Sequence, residues 1–150
     1  MTVTAGQPAP DFSLADDTGA TVHLADLRGR RVVLYFYPKD DTPGCTRQAC
    51  ALRDDWTEIE ATGARVYGVS PDTVESHAEF RAKFHLPFPL LADPDRGTLE
   101  SYGFWGERPD GRVGVIRSTV LIGEDGTIER VWSPVDPDAH LGIIREALAA

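Results

Sequence analysis

One run of six apolar residues, Val32–Tyr37, constrains the fold of this chain more than any other segment. Successive side chains of a strand point to opposite faces, and here both faces are apolar. A strand of that kind is buried on both sides, which is typical of a sheet covered by helices on each face. Pro38 follows and ends the strand, because proline cannot donate a ladder hydrogen bond.

A helix is predicted directly after this strand. Thr42 and Pro43 form a helix start, since threonine can cap free amide groups and proline suits the first turn. Apolar residues then recur at spacings of four and three, which predicts one helix with one buried stripe that ends near Gly63. The members of the stripe are Cys45, Ala49, Leu52, Trp56 and Ile59.

Strand and helix patterns alternate along the remainder of the chain. Asp16–Gly19 marks the turn of an N-terminal hairpin within Asp11–Leu27, and Glu124–Gly126 marks a second hairpin turn. Asp72–Glu75 resembles a capping box before another helix. Further strands are expected at Arg65–Val69, Leu90–Ala92, Ser118–Ile122 and Ile128–Trp132. Further helical faces are expected at His77, Phe80 and Phe84, over Asp95–Tyr102, and at Leu141, Ile144 and Leu148.

This order of elements predicts an α/β protein with a mixed central sheet flanked by helices and an N-terminal hairpin extension. It resembles a thioredoxin-like arrangement. A length of 150 residues suits one domain, and no repeat or Gly/Ser/Pro-rich linker divides the chain. We therefore expect a single domain over residues 1–150.

Composition and charge exclude several classes of function. A formal net charge of −9 makes non-specific binding to nucleic acid or to anionic membranes unfavourable. The longest apolar run is far shorter than the roughly 20 residues of a membrane helix, and the first ten residues do not form a secretory signal. We expect a cytoplasmic protein without a metal or cofactor. The histidines, which lack metal-ligand spacing, are His23, His77, His85 and His140.

Cys45 lies in the first turn of the predicted helix, directly after a buried strand. The helix dipole and the free amide groups at this end stabilise a thiolate, which is the nucleophilic form of cysteine. Its place on the apolar stripe also fits a small buried core residue. From position alone, Cys45 is therefore a candidate nucleophile or an inert core residue.

Cys50 follows five residues later and lies off the apolar stripe, hence nearer the surface. In a regular helix the two Cα atoms are about 8.6 Å apart. A disulfide requires at most about 6.8 Å. Cys45 and Cys50 can therefore bond only if the helix unwinds locally, and an unremarkable surface thiol is the alternative.

The segment Pro38–Cys45 matches the pattern Pro-x-x-x-Thr-x-x-Cys, and the chain thereby resembles the peroxiredoxins. The continuation to Cys50 is similar to the peroxiredoxin Q group, also called bacterioferritin comigratory proteins. Three further segments agree in the right order. They are Ala9–Phe12, Tyr102–Glu107 and Arg117–Ile122. The segment Arg108–Gly114 looks shorter than in many relatives, and Gly123 stands where aspartate is frequent.

The resemblance implies a thioredoxin-like peroxidase that reduces hydroperoxides and is recycled by thioredoxin or a similar dithiol protein. It implies that Cys45 is the peroxidatic cysteine and that Cys50 is the resolving one. It further implies that Thr42 hydrogen-bonds the peroxide and that Arg117 stabilises both the thiolate and the polarised O–O bond. Pro38, with Pro43 and Gly44, would shape and shield the site. Members of this group are often monomers, and we expect one here.

Two other functions remain open at this point. A thioredoxin-type thiol–disulfide oxidoreductase is the first, although the chain lacks the Cys-x-x-Cys motif that keeps both sulfurs within reach. A binding or chaperone module with incidental cysteines is the second.

Overall fold

The computed structural model describes residues 2–149. Its strands are β1 (Ser13–Asp16), β2 (Thr21–His23), β3 (Val32–Phe36), β4 (Arg65–Ser70), β5 (Leu90–Ala92), β6 (Trp105–Glu107), β7 (Val113–Val115), β8 (Ser118–Ile122) and β9 (Ile128–Trp132). Its α-helices are α1 (Pro43–Asp54), α2 (Trp56–Ala61), α3 (Val74–Phe84), α4 (Gly97–Tyr102) and α5 (His140–Leu148), and Leu24–Leu27 forms a 3-10 turn.

The described residues form a mixed seven-stranded sheet in the order β2-β1-β5-β4-β3-β8-β9. Strand β3 lies near its centre, parallel to β4 and antiparallel to β8. The predicted mixed sheet with flanking helices and an N-terminal hairpin is confirmed, because β1 and β2 pair as an antiparallel extension that joins β5. The pairing of Phe36 with Ser118 places the start of β8 beside the end of β3.

Each face of the sheet carries its own apolar core, as the two-sided pattern of β3 predicts. Val33 and Tyr35 pack with residues of α1 and α5 on one face. Leu34 and Phe36 pack with Tyr102 and neighbouring residues on the other. All five residues of β3 are buried. The strand is thus a rigid base for the loop and helix that follow it.

Three predicted helix boundaries are wrong. The apolar stripe after Pro43 belongs to two helices, because the backbone leaves the helical conformation at Asp55, which caps α1 and precedes α2. The capping box does not form: helix α3 is capped one residue later, where the Thr73 hydroxyl accepts from the Ser76 amide. Helix α4 begins two residues after Asp95.

The sequence pattern does not predict the hairpin of β6 and β7, whose two strands flank the Arg108–Arg112 loop. Its residues lack an alternating apolar pattern long enough to indicate a strand. The remaining strand predictions are confirmed within one residue. No helix within residues 2–149 has the length and apolar character needed to cross a membrane.

Candidate active site

Cys45 lies in the first turn of α1, immediately above the buried end of β3. Its side chain is 1% exposed and its thiol is free. The Thr46 amide donates to the Thr42 carbonyl at 2.8 Å, so the helical turn already begins at Thr42. The strand, the loop and the helix together hold the sulfur at the amino-terminal end of the helix, where a thiolate is favoured.

Arg117 is distant from Cys45 in the sequence but lies next to its sulfur in the structure. It directly precedes β8, and the Val135 amide donates to its carbonyl at 2.8 Å. Its Nη2 atom lies 3.5 Å from Cys45 Sγ, and its Nη1 atom donates to Gln48 Oε1. The guanidinium is thus anchored to α1 at one nitrogen while another points to the sulfur.

Gly44 leaves room for that guanidinium. A Cβ atom at this position would lie 3.3 Å from Arg117 Nη2 and 3.5 Å from Pro137 Cγ. The separation from Nη2 is shorter than most contacts that real Cβ atoms make, so a larger residue would displace the arginine, whereas the separation from Pro137 is an ordinary contact. Pro43 occupies the first turn of α1, as predicted. Both residues therefore shape the amino-terminal turn around the sulfur.

Thr42 does not cap the helix with its side chain, contrary to the prediction. Its hydroxyl donates to the Lys39 carbonyl at 2.8 Å instead. The bond ties the side chain back into its own loop. The hydroxyl oxygen keeps lone pairs that can accept a further hydrogen bond.

A cavity of about 210 Å³ lies beside Arg117. Pro38 forms part of its wall, together with Ile116 and Val135. Pro38 is half-buried, so its ring borders both the cavity and the protein interior. The position suits a residue that limits access of water to the site.

Cys50 lies on the same helix as Cys45, and both thiols are free. It is half-buried, as its place off the apolar stripe predicts. Further along α1, Arg53 Nη1 donates to the Phe84 carbonyl at 2.8 Å and fixes the end of the helix. The structure therefore keeps the two cysteines on one intact helix.

Buried polar groups that the sequence does not single out lie near Cys45 and Arg117. Burial, followed by the negative charge of Cys45, raises the pKa of Tyr35 well above its usual value. Burial, followed by the charge of Arg117, lowers the pKa of His140 to about 3, so this ring is neutral. Its Nε2 atom contacts Thr119 Oγ1 at 2.8 Å. Of the polar residues near the sulfur, only Gln48 could have been found from the sequence. It lies three residues after Cys45 and therefore faces the same side of the helix.

A second polar cluster lies under the loop between β3 and α1. His77 Nδ1 contacts Asp40 Oδ2 at 2.7 Å, and both side chains are buried. Asp72 lies nearby, so that ligand atoms of the three residues fall within 4.8 Å of one another. Both ring nitrogens of His77 already contact protein oxygens, and donors from the chain occupy the carboxylates. The groups therefore form a hydrogen-bonded network, and nothing in the local sequence pattern indicates it.

Comparison with known proteins agrees with this arrangement. Residues 5–131 match the model of the AhpC/TSA family. A putative peroxiredoxin of Mycobacterium tuberculosis is 46% identical over 150 residues, which cover 98% of this chain and 96% of that protein. Peroxiredoxin Bcp of Bacillus subtilis is 42% identical over 144 residues, covering 94% and 92%.

Solved structures give the same result. The bacterioferritin comigratory protein of Xanthomonas campestris, studied for alkyl peroxide reduction, is 32% identical with a TM-score of 0.89, covering 97% of both chains. A Cys-to-Ser variant of peroxiredoxin Q from Xylella fastidiosa is 29% identical with a TM-score of 0.90, covering 99% and 97%. The thioredoxin-like fold is thereby confirmed. The chain belongs to the AhpC/TSA family and is a thiol peroxidase of the bacterioferritin comigratory protein, or peroxiredoxin Q, group.

Proposed function

We propose that this chain reduces hydrogen peroxide and organic hydroperoxides at Cys45, resolves the product with Cys50, and is recycled by thioredoxin or a similar dithiol protein. The observation that carries the proposal is the 3.5 Å approach of Arg117 Nη2 to a Cys45 sulfur at a helix amino terminus. A fixed cation and a helix terminus together favour a nucleophilic thiolate.

The first step is attack of the Cys45 thiolate on one peroxide oxygen. An S–O bond forms while the O–O bond breaks, and the sulfur is oxidised to a sulfenic acid. The leaving oxygen takes the electron pair and a proton and departs as water or an alcohol. Negative charge therefore moves from sulfur to oxygen, and Arg117 can donate to both atoms because its guanidinium has several donors in one plane.

Thr42 contributes by accepting a hydrogen bond. Its own hydrogen is used by the Lys39 carbonyl, so its oxygen is free to accept from the peroxide hydrogen. That bond orients the oxygen to be attacked toward Cys45. Pro38 lines the cavity beside Arg117, and its role is to limit the entry of water there.

The second step joins Cys45 to Cys50. The Cys50 sulfur attacks the sulfenic sulfur, an S–S bond forms, and the hydroxyl leaves with a proton as water. Because both residues lie within α1, the helix must open between them before the sulfurs can meet. An external dithiol then reduces the bond and is itself oxidised to a disulfide.

A thioredoxin-type disulfide reductase fits the geometry less well. Such an enzyme attacks protein disulfides with an accessible thiolate, whereas Cys45 is 1% exposed. A small peroxide can reach a buried sulfur through a narrow opening. A disulfide in a folded protein is too large to reach the Cys45 sulfur in this way.

The test separates the roles of the two cysteines. The Cys50→Ser variant should consume one equivalent of hydrogen peroxide at the wild-type rate and then stop. Its sulfenic acid should be trapped at Cys45 by dimedone and identified by mass spectrometry. The Cys45→Ser variant is the matched control and should not react.

Steady-state turnover provides the second half of the test. The wild type should oxidise NADPH continuously in a coupled assay with thioredoxin and thioredoxin reductase. Full turnover by Cys50→Ser would exclude the intramolecular disulfide, and peroxide consumption by Cys45→Ser would exclude Cys45 as the reacting residue.

A further inference from the structure

His77 is a fully buried histidine whose role the peroxide chemistry leaves unassigned. It lies in α3, is 0% exposed, and makes hydrogen bonds through both ring nitrogens. Nε2 lies 2.9 Å from the Leu91 carbonyl, and Nδ1 lies 2.7 Å from Asp40 Oδ2. A backbone carbonyl can only accept, so Nε2 carries a hydrogen.

Asp40 receives donors on both oxygens. The Tyr37 hydroxyl donates to Oδ1 at 2.6 Å, and the Ser76 hydroxyl donates to Oδ2 at 2.8 Å. The contact between His77 Nδ1 and Asp40 Oδ2 belongs to this set of hydrogen bonds, and both of its partners are buried. His77 thus joins α3 to Asp40 on one side and to the Leu91 carbonyl of β5 on the other.

Other charged and titratable side chains lie around His77 and Asp40. Asp72, in the loop before α3, accepts from the Asp40 amide at 2.9 Å and from the Ser70 hydroxyl at 2.6 Å. Tyr37 faces the pair from the end of β3. At the surface, Lys83 of α3 pairs with Asp41 at 2.7 Å. Helix α3 is thus joined to the loop by His77 and Ser76 at Asp40 in the interior, and by Lys83 at the surface.

That loop runs from Pro38 to Thr42 and sets the positions of Thr42 and of the first turn of α1 in the site. Asp41 within it has a φ of 56°, a left-handed conformation that is unusual for a residue other than glycine. The loop therefore depends on side-chain contacts for its position. The deepest of them is the contact between Asp40 and His77.

We propose that His77 is a positioning residue for peroxide reduction, which holds the Pro38–Thr42 loop through its hydrogen bond with Asp40. The proposal rests on the proposed peroxidase function of Cys45. His77 touches neither the sulfur nor the peroxide, and it acts by fixing Asp40 and thereby the peroxide acceptor on Thr42. Loss of this contact should slow attack on a peroxide, which needs a fixed orientation, more than simple alkylation of the thiol.

Two substitutions at His77 provide a matched pair. Gln places its amide nitrogen where Nε2 lies and retains the bond to the Leu91 carbonyl. Asn places its amide nitrogen where Nδ1 lies and retains the bond to Asp40. Both remove the imidazole ring, so a role confined to packing would affect them similarly.

The experiment measures two rates on each reduced protein, the reaction of Cys45 with hydrogen peroxide and its alkylation by iodoacetamide. His77→Gln should lower the peroxide rate on the order of 10-fold to 100-fold, while alkylation stays within about twofold. His77→Asn should recover most of the peroxide rate. Lys83→Met, which breaks only the exposed link to the same loop, should leave both rates within about twofold.

Asp40→Ala tests the contact from its other side and serves if a His77 variant does not fold. It should lower the peroxide rate at least as much as His77→Gln, and the double variant should be no slower than Asp40→Ala alone, because both substitutions break the same contact.

Three results would overturn the proposal. They are an unchanged peroxide rate in a folded His77→Gln or Asp40→Ala protein, an equal loss of peroxide and iodoacetamide rates, and a His77→Asn rate no higher than that of His77→Gln. A wild-type protein that itself reacts slowly with peroxide would instead refute the peroxidase function, so the two failures are distinguishable.

Discussion

Arg117 and Cys45 are separated by 72 residues, yet the guanidinium Nη2 atom lies 3.5 Å from the sulfur. The sheet explains this proximity, because the register of β3 against β8 pairs Phe36 with Ser118. The residue before β8 and the helix after β3 must then share one edge of the sheet. The strand pairing therefore places the Arg117 guanidinium beside the Cys45 sulfur.

Replacement of Arg117 by Lys should separate positive charge from geometry. Lysine retains a cation but lacks the planar fork that bonds Gln48 and the sulfur at once. We expect the second-order rate with hydrogen peroxide to fall by about 100-fold, in line with the loss of one fixed donor to developing charge. Stopped-flow tryptophan fluorescence measures this rate, and a fall of less than twofold would contradict the role.

Gly44→Ala should disturb the same guanidinium from the other side. The added Cβ would lie 3.3 Å from Arg117 Nη2. We expect a peroxide rate lowered by roughly 3-fold to 10-fold, because small displacements of catalytic groups are costly. Gly142→Ala is the matched control, since a Cβ in that helix meets nothing within 4 Å. It should leave the rate unchanged and stabilise α5 by about 0.5–1 kcal/mol.

His140 should make the stability of the fold depend on pH. In the unfolded chain a histidine takes up a proton near pH 6.5, whereas folded His140 stays neutral down to about pH 3. Between these values the unfolded chain binds more protons, so the free energy of unfolding falls as pH falls. The contribution is fully present above about pH 6.5 and should decrease by about 2 kcal/mol on going to about pH 5.

Urea unfolding of wild type and His140→Gln at the two pH values measures this effect. Glutamine can still contact Thr119 but does not titrate, so its stability should depend less on pH by that amount. His85→Asn, at an exposed site in the left-handed conformation, is the control and should follow the wild type. Equal pH dependence in wild type and His140→Gln would contradict the prediction.

Gly68→Ala should destabilise the sheet. A Cβ at this position in β4 would lie 2.9 Å from Leu90 Cδ2 and from the Tyr35 ring and hydroxyl. Overpacking of this kind costs about 1–3 kcal/mol. The Tyr35 hydroxyl is buried and finds no hydrogen-bond partner among residues 2–149, so Tyr35→Phe should recover part of the loss. Thermal unfolding of both variants and the double variant measures the effect, and additive losses would exclude the clash.

The sequence predicts the parts of this fold that depend on local pattern. The two-sided apolar run gives β3, and the threonine and proline give the start of α1 within one residue. The end of α1 depends instead on tertiary contacts. Asp55, where the helix breaks, pairs with Arg145 of α5, which lies 90 residues further along the chain. The apolar pattern of a helix contains no information about a contact with a residue so distant in the sequence.

The candidate site divides in the same way. Cys45, Thr42 and Pro38 lie in one short motif, so the sequence indicates them together. His77 and His140 become informative only once α3 and α5 pack against the sheet. A buried histidine in an amphipathic helix looks the same in sequence whether it only fills space or makes buried hydrogen bonds.

The most direct test is to mix fully reduced protein with one equivalent of hydrogen peroxide, follow tryptophan fluorescence in a stopped-flow instrument, and map the product by mass spectrometry. We expect a rapid first phase that forms the Cys45 sulfenic acid and a slower one that ends in a Cys45–Cys50 disulfide, limited by opening of α1. A reaction no faster than that of an ordinary free thiol, or a product oxidised first at Cys50, would contradict the assignment of Cys45 as the residue that attacks peroxide.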